Sequence, residues 1–244
     1  MEVGWPSELF IIRHAESAGN VARERAMDAG AHVIDIAMRD CDVPLTELGE
    51  RQAAALGTWG ARHLEPIDAV LTSTYLRAQE TAAIALRAAG WSVPVEADER
   101  LREKEFGTLD RLMHRGIEQR FPEQAELRRV LGKFYYRPPG GESWTDVILR
   151  LRTLVETLTR EHAGQRVAIV THQVIVLCFR YLFEKLTEKQ LLVIDAAGDV
   201  ANCGVTTYEL DRHRNVLVLI GYNVVAPMEE AGEPVTRPDI PLAR

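Results

Sequence analysis

Leu9-Phe10-Ile11-Ile12-Arg13-His14-Ala15-Glu16-Ser17-Ala18-Gly19-Asn20 is the stretch whose reading decides the fold. Its four leading apolar residues read as a short strand buried on both faces. The chain then turns polar, with an arginine and a histidine at the strand's carboxyl end. Small residues follow, so the backbone can turn tightly and let a ligand approach. In open α/β sheets ligands sit outside the carboxyl ends of the strands. A histidine delivered there beside a fixed positive charge is a candidate nucleophile for a phosphate-like anion. An Arg-His pair after a strand also serves plain local hydrogen bonding, and taken alone that is the commoner case. The weight shifts because Arg166-Val167-Ala168-Ile169-Val170-Thr171-His172 repeats the pattern. Two buried strands that each end in histidine can bring both imidazoles into one crevice.

Working outward, 244 residues suffice for one large α/β domain. The formal net charge of -7 argues against non-specific nucleic-acid binding, so arginines that handle an anion must be concentrated locally. Cys41, Cys178 and Cys203 are widely spaced and fit a reducing compartment, which makes the cytoplasm the expected location. Met1 to Glu8 lacks the basic-then-apolar pattern of a signal peptide. No apolar run approaches the ~20 residues that cross a bilayer, so no membrane partner is expected.

Val21 to Val43 resists assignment and reads as an excursion near the mouth of the site, part helical, or as a solvated surface insertion. Thr46 is a plausible N-cap for a helix that carries Leu48, Ala55, Leu56 and Trp59 on one face. A second strand, Ile67 to Thr72, leads into Ser73-Thr74-Tyr75-Leu76-Arg77-Ala78-Gln79-Glu80-Thr81-Ala82. A strand-to-helix junction of that kind favours an anion, and Arg77 adds a bidentate clamp. A short strand near Val93-Pro94-Val95 precedes Leu101-Arg102-Glu103-Lys104-Glu105-Phe106-Gly107, where Glu103 and Glu105 face opposite ways if the chain is extended. Lys133 to Ser143 mixes aromatic, basic and turn residues and suits a ligand-holding loop or a structural one. Ser143 and Asp146 form a capping box for a long helix with Trp144, Val147, Leu151, Leu154, Val155 and Leu158 on its core face. Another helix, through Val174, Leu177, Cys178 and Leu182, follows His172. Val205 to Leu210 and Val216 to Gly221 suggest an antiparallel hairpin that makes the sheet mixed at its edge. One domain over residues 1–225 is expected, with 226–244, rich in proline, as a surface-hugging or disordered tail.

With those residues in view, the chain resembles the histidine phosphatase superfamily, the phosphoglycerate mutase-like proteins, from Leu9 to about Leu210. Arg13-His14-Ala15-Glu16 resembles the family's Arg-His-Gly-Glu signature, and Ser73 to Ala82 resembles the motif that supplies the second arginine. Leu101-Arg102-Glu103 resembles the proton-donor segment, and His172 matches the second histidine. The resemblance implies an α/β fold: a three-layer α/β/α sandwich with a mostly parallel central sheet. It also implies a phosphohistidine mechanism: His14 attacks phosphorus, Arg13, Arg77, His172 and Asn20 hold the oxygens, and Glu103 protonates the leaving oxygen. No metal and no cofactor are expected, because guanidinium groups take the metal's role. A small-molecule phosphate ester is the expected partner.

The sequence departs from the pattern in four places. Ala15 replaces a glycine, Gln173 follows His172, the 21–43 excursion is long, and Thr108-Leu109-Asp110 replaces a common Trp-Glu-Gly. His172-Gln173 and the Tyr136-Arg137-Pro138 to Ser143 segment are similar to the bisphosphatase domain of fructose-2,6-bisphosphatase. That similarity implies substrate contacts from Gln173, Lys133, Tyr136 and Arg137, with Arg128 or Arg129 nearby. Leu177 and His114 stand where that domain has a further arginine and a tyrosine, which weakens the clamp for a second phosphate. The expected activity is therefore a phosphatase acting on a phosphorylated metabolite such as a sugar phosphate. A phosphoglycerate mutase and a non-catalytic phospho-ligand binding module are the alternatives.

Overall fold

The computed structural model describes residues 4–236. The expectations for the first residues of the chain and for the end of the tail (237–244) fall outside the described residues. Six strands form one sheet in the order β3-β2-β4-β1-β5-β6. β1 (Glu8–Arg13), β2 (Ala69–Ser73), β3 (Val95–Asp98) and β4 (Arg166–Thr171) run parallel, and β5 (Val205–Asp211) and β6 (Val216–Val224) add the expected antiparallel edge. The sheet is therefore mostly parallel and lies between two helical layers.

The period of two in the central strands builds both layers. Leu9, Ile11, Leu71, Val167 and Ile169 face one side. There they pack on α6 (Trp144–Glu161) and α7 (Gln173–Phe183), whose buried residues include Trp144, Val147, Leu151, Leu154, Leu158, Ile175 and Phe179. Phe10, Ile12, Val70, Ala168 and Val170 face the other side, against α2 (Glu47–His63) and α3 (Leu76–Ala89) through Ala53, Leu56, Ala78 and Ala82. Each of those strands is buried on both faces, which is why β1 and β4 read as unbroken apolar runs. Thr46 caps α2 by accepting from the Gly49 amide, and the Ser143–Asp146 capping box opens α6 as the spacing requires. Leu177 is fully buried in α7, so it belongs to the core.

The excursion is part helical: α1 (Ala18–Asp28) carries its own capping box between Ser17 and Asn20. Its ends are clipped together by an antiparallel bridge between Ser17 and Leu45, and Val33 bridges to Leu112. The charged stretch after Arg111 forms α4 (His114–Arg120) and α5 (Pro122–Tyr135), with Pro122 in the first turn of α5. A further helix, α8 (Glu188–Ala197), precedes the hairpin. Within the segment expected as a tail, residues 226–231 form α9 (Ala226–Ala231), which packs on α2 and buries Met228 completely. Among the described residues no helix is long and apolar enough to cross a membrane.

Candidate active site

Register brings the two histidines together. β1 and β4 are hydrogen-bonded neighbours, with Arg13 opposite Thr171, so His14 and His172 both lie one residue past the sheet's carboxyl edge. Their ring centroids are 5.1 Å apart, and both side chains are buried. The His14 amide donates to the Thr171 carbonyl at 2.8 Å, which ties the two strand ends directly. Ala15 has no positive φ, so the alanine that replaces the family's glycine fits without strain. The Ala15 amide donates to Thr81 Oγ1, and that hydroxyl donates to the Arg77 carbonyl. Asn202 Nδ2 donates to the His14 carbonyl from the opposite side. The loop that carries His14 is thus held by buried hydrogen bonds from Thr81 and Asn202.

The tautomer of His14 follows from its partners. Nδ1 lies 2.7 Å from the Ala15 carbonyl oxygen, which can only accept, so Nδ1 carries the proton. Nε2 then holds a lone pair, and Arg77 Nε–H donates to it at 3.2 Å. Burial, followed by the charges of Arg77 and Arg13, holds the His14 pKa well below the usual histidine range. Burial, Arg77 and His14 do the same to His172. His172 Nε2 meets Ser73 Oγ at 2.8 Å, while its buried Nδ1 has no hydrogen-bond partner in the structure. Such a buried polar atom is costly unless a ligand completes it. Arg13 lies buried beside the pair and donates from Nη1 to the Val200 carbonyl.

The two candidate acids separate. Burial raises the Glu103 pKa, against the opposing pull of its own neighbour's amide (Lys104) and of the Arg77 and Arg13 charges. Glu105 instead accepts from the Tyr75 hydroxyl at 2.8 Å and lies 3.8 Å from Arg102. Glu103 is therefore the carboxyl that senses the site arginines. Gly107 makes the turn behind it possible: it sits at φ 55°, and a Cβ there would come within 2.2 Å of the Pro139 carbonyl oxygen.

The residues expected to bind the rest of the substrate are less uniformly placed. Asn20 gives its Oδ1 to the α1 cap, accepting from the Ser17 amide and hydroxyl, which leaves Nδ2 as its possible ligand donor. Gln173 donates from Nε2 to Asp199 at 2.7 Å. Lys133 pairs with Asp195 and lies over the Trp144 ring. Tyr136 is buried, its hydroxyl donating to Gln124, and exposed Arg137 pairs with the capping carboxylate Asp146. Packing holds Tyr136 inward, and the carboxylate pair holds Arg137 at the surface. Sequence reasoning placed Ser73 and Thr81 in the anion-favouring stretch without these contacts, and it missed Asn202, which looks like an ordinary polar residue until the fold brings it to the loop. It also missed Lys104, a buried lysine whose pKa burial brings down to about 8, with Arg128 and Lys133 among the charges acting on it.

Residues 9–223 match the family model described as the histidine phosphatase superfamily (branch 1). The chain belongs to the histidine phosphatase superfamily. It is 28% identical over 214 residues to a 6-phosphofructo-2-kinase/fructose-2,6-bisphosphatase of Caenorhabditis elegans, covering 84% of this chain but only 42% of that relative. It is 33% identical to a 2,3-bisphosphoglycerate-dependent phosphoglycerate mutase of Methylobacterium radiotolerans, covering 75% of this chain and 82% of the relative. Among solved structures, YhfR of Bacillus stearothermophilus superposes with a TM-score of 0.72 at 28% identity, over 91% of this chain and 98% of the other. Members of this superfamily are phosphatases or mutases, and in this member the resemblance read from four short motifs extends through the hairpin.

Proposed function

We propose that this chain is a phosphatase that hydrolyses a monoester of a small phosphorylated metabolite, a sugar phosphate being the candidate, through a phosphohistidine at His14. One observation carries the proposal. His14 keeps its proton on Nδ1, and a guanidinium is hydrogen-bonded at Nε2, so a neutral nucleophile faces fixed positive charge. Attack by Nε2 on phosphorus forms the N–P bond as the ester P–O bond breaks. Arg77 and Arg13 would neutralise the equatorial oxygens, and neutral His172 would donate a hydrogen bond to one of them from Nδ1–H. Glu103, whose carboxyl burial makes easier to protonate, gives its proton to the leaving oxygen and then takes one from the water that cleaves the N–P bond. Lys104, Arg128 and Lys133 supply further positive potential beyond Glu103 for an anionic or hydroxyl-rich remainder. No step calls for a metal ion or a cofactor.

A screen of phosphate release over sugar phosphates, phosphoglycerates and nucleotides, run with chelator present, tests this. The expected outcome is turnover of at least one ester, abolished in His14→Ala with the fold intact. Turnover that survives that substitution contradicts the proposal. Similarity to a phosphoglycerate mutase supports a second reading. Incubation with 3-phosphoglycerate and a bisphosphate primer separates the two, because a mutase yields the isomer and a phosphatase yields free phosphate. Phosphate binding without release from any ester would instead favour a binding module.

A further inference from the structure

Four of the five N–H donors of Arg77 are already in use. Nη1 donates to the Asp40 carbonyl oxygen at 2.6 Å and to Asp40 Oδ1 at 2.9 Å, while Nη2 donates to Oδ2 at 3.2 Å. Nε donates to the lone pair of His14. A carboxylate of this chain therefore occupies the guanidinium face that a phosphoryl group would use, and the same guanidinium covers the nucleophile. The phosphatase reading uses Asp40 only as one of the charges that raise the Glu103 pKa, and gives it no contact with the substrate.

We propose that Asp40 is an internal anion that latches Arg77 against His14, so that a phosphoryl group binds only as the Asp40 carboxylate gives way. The inference rests on the phosphatase reading and adds the control of that site. Its physical basis is the asymmetry of the pair. Arg77 is buried, with 6% of its side chain exposed, whereas the Asp40 side chain is 47% exposed and can return to water at small cost. Asp40 also sits in a segment that is anchored on both sides by contacts other than its own. It begins the short turn Asp40–Asp42, at the end of the excursion whose two ends are pinned by the Ser17–Leu45 bridge and by the Ala18 amide donating to the Pro44 carbonyl. On its far side the excursion is held through Val33–Leu112 and through the Arg111 guanidinium donating to the Ile36 carbonyl. Loss of the Asp40 contact leaves those anchors in place. The opened Arg77 would turn its donors from carboxylate and imidazole to phosphoryl oxygens, and His14 Nε2 would be uncovered in the same movement. Any ligand then binds more weakly by the fraction of molecules that are unlatched.

Orthovanadate, an anion of phosphoryl geometry, is the probe. Its dissociation constant would be measured for the wild-type chain, Asp40→Asn, Asp40→Ala and Asp42→Asn, with kcat/KM on the best ester from the screen. Asp42 lies in the same turn but pairs with Arg39, so its substitution removes equal charge without releasing Arg77. The expected result is binding roughly tenfold tighter in both Asp40 variants, with kcat/KM raised alongside, and a change under about twofold in Asp42→Asn. Equal or weaker binding in the Asp40 variants overturns the latch, and so does equal tightening in Asp42→Asn. A fall in kcat/KM without tighter vanadate binding would make Asp40 a support for the site rather than a competitor for Arg77, and overturns the latch. A wild-type chain that turns over ester and binds vanadate while the Asp40 variants bind no better loses only the latch. One that does neither refutes the phosphatase reading, and the latch with it.

Discussion

His14 and His172 stay uncharged because burial removes water from both rings and two arginines stand beside them. That has a cost for folding which depends on pH. Unfolded, each imidazole titrates near 6.5, whereas folded it resists protonation until lower pH. Between those values the unfolded chain binds more protons, so stability falls as pH falls below about 6.5, at a slope of up to about 1.4 kcal/mol per pH unit for each ring. Carboxylates held low by arginine partners, such as Glu142 beside Arg150, act only nearer their own range, below about pH 4.5. Denaturant unfolding at about pH 7.5 and pH 5.5 checks the sign. The wild-type chain should be less stable at the lower pH, and His172→Asn should show a shallower slope. Equal stability at the two values would mean that the rings accept protons freely. The chemistry of these residues was legible from the sequence because strand ends give histidines a predictable address. Thr81 was not, since a threonine inside a helix reads as neutral until its hydroxyl is seen bridging the Ala15 amide and the Arg77 carbonyl. Asp40 was hidden for a related reason: within Arg39-Asp40-Cys41-Asp42 it looks like one charge of a solvated run, and its partner lies 37 positions away.

At the scale of elements, helix α2 does more than cover the sheet. Gly49, in its first turn, lets the helix press on the loop that carries His14: a Cβ there would lie 2.0 Å from the Glu16 carbonyl oxygen. Glu16 is two residues from His14, and its amide donates to Gln52 on the same helix. Gly49→Ala must therefore move either the helix or the loop. A loss of about 1–3 kcal/mol of stability is expected, the usual range for overpacking, together with a drop in kcat. Thermal unfolding and initial rates check both. A variant of unchanged stability and rate would show that the loop is not clamped by α2. Strands β1 and β4 and helix α6 were readable because their periodicity records one environment along the whole element. The excursion was not, because its form depends on distant contacts (Val33 with Leu112, Asp40 with Arg77) that leave no local pattern. The breaks within 111–137 had a local cause at Pro122, whereas α8 carries too weak a stripe to separate it from its surroundings.

At the scale of the whole molecule, the C-terminal segment belongs to the packed body through residue 236. α9 buries Met228, Glu233 pairs with Arg51, and Gln52 donates to the Pro234 carbonyl and to Thr236, whose hydroxyl donates to Glu16. The polar network behind the His14 loop thus ends in residues that composition alone marks as tail. Proline content signals irregular backbone, and irregular backbone can still be docked. Met228→Ala should cost about 2–4 kcal/mol, as for other fully buried large-to-small changes, and lower the thermal midpoint by several degrees. A midpoint within a degree of wild type would show that the segment contributes nothing to the core. Placement of the sheet between two helical layers explains why this body serves the site. It delivers Arg13-His14 and Thr171-His172 at neighbouring strand ends, and α3 brings Arg77 to them from a third.

The central claim is that the Nε2 lone pair of His14 forms a bond to phosphorus. Glu103→Gln, which can neither protonate the leaving oxygen nor activate water, should let the phosphoenzyme accumulate when mixed with an activated phenyl ester that needs no proton to leave. Quenching in alkali and mapping the modified peptide by mass spectrometry then reads the claim directly. The account predicts one phosphoryl group on His14, stable to base and lost in acid. Turnover of the ester with no phosphoenzyme, or with the phosphoryl group on another residue, would contradict it.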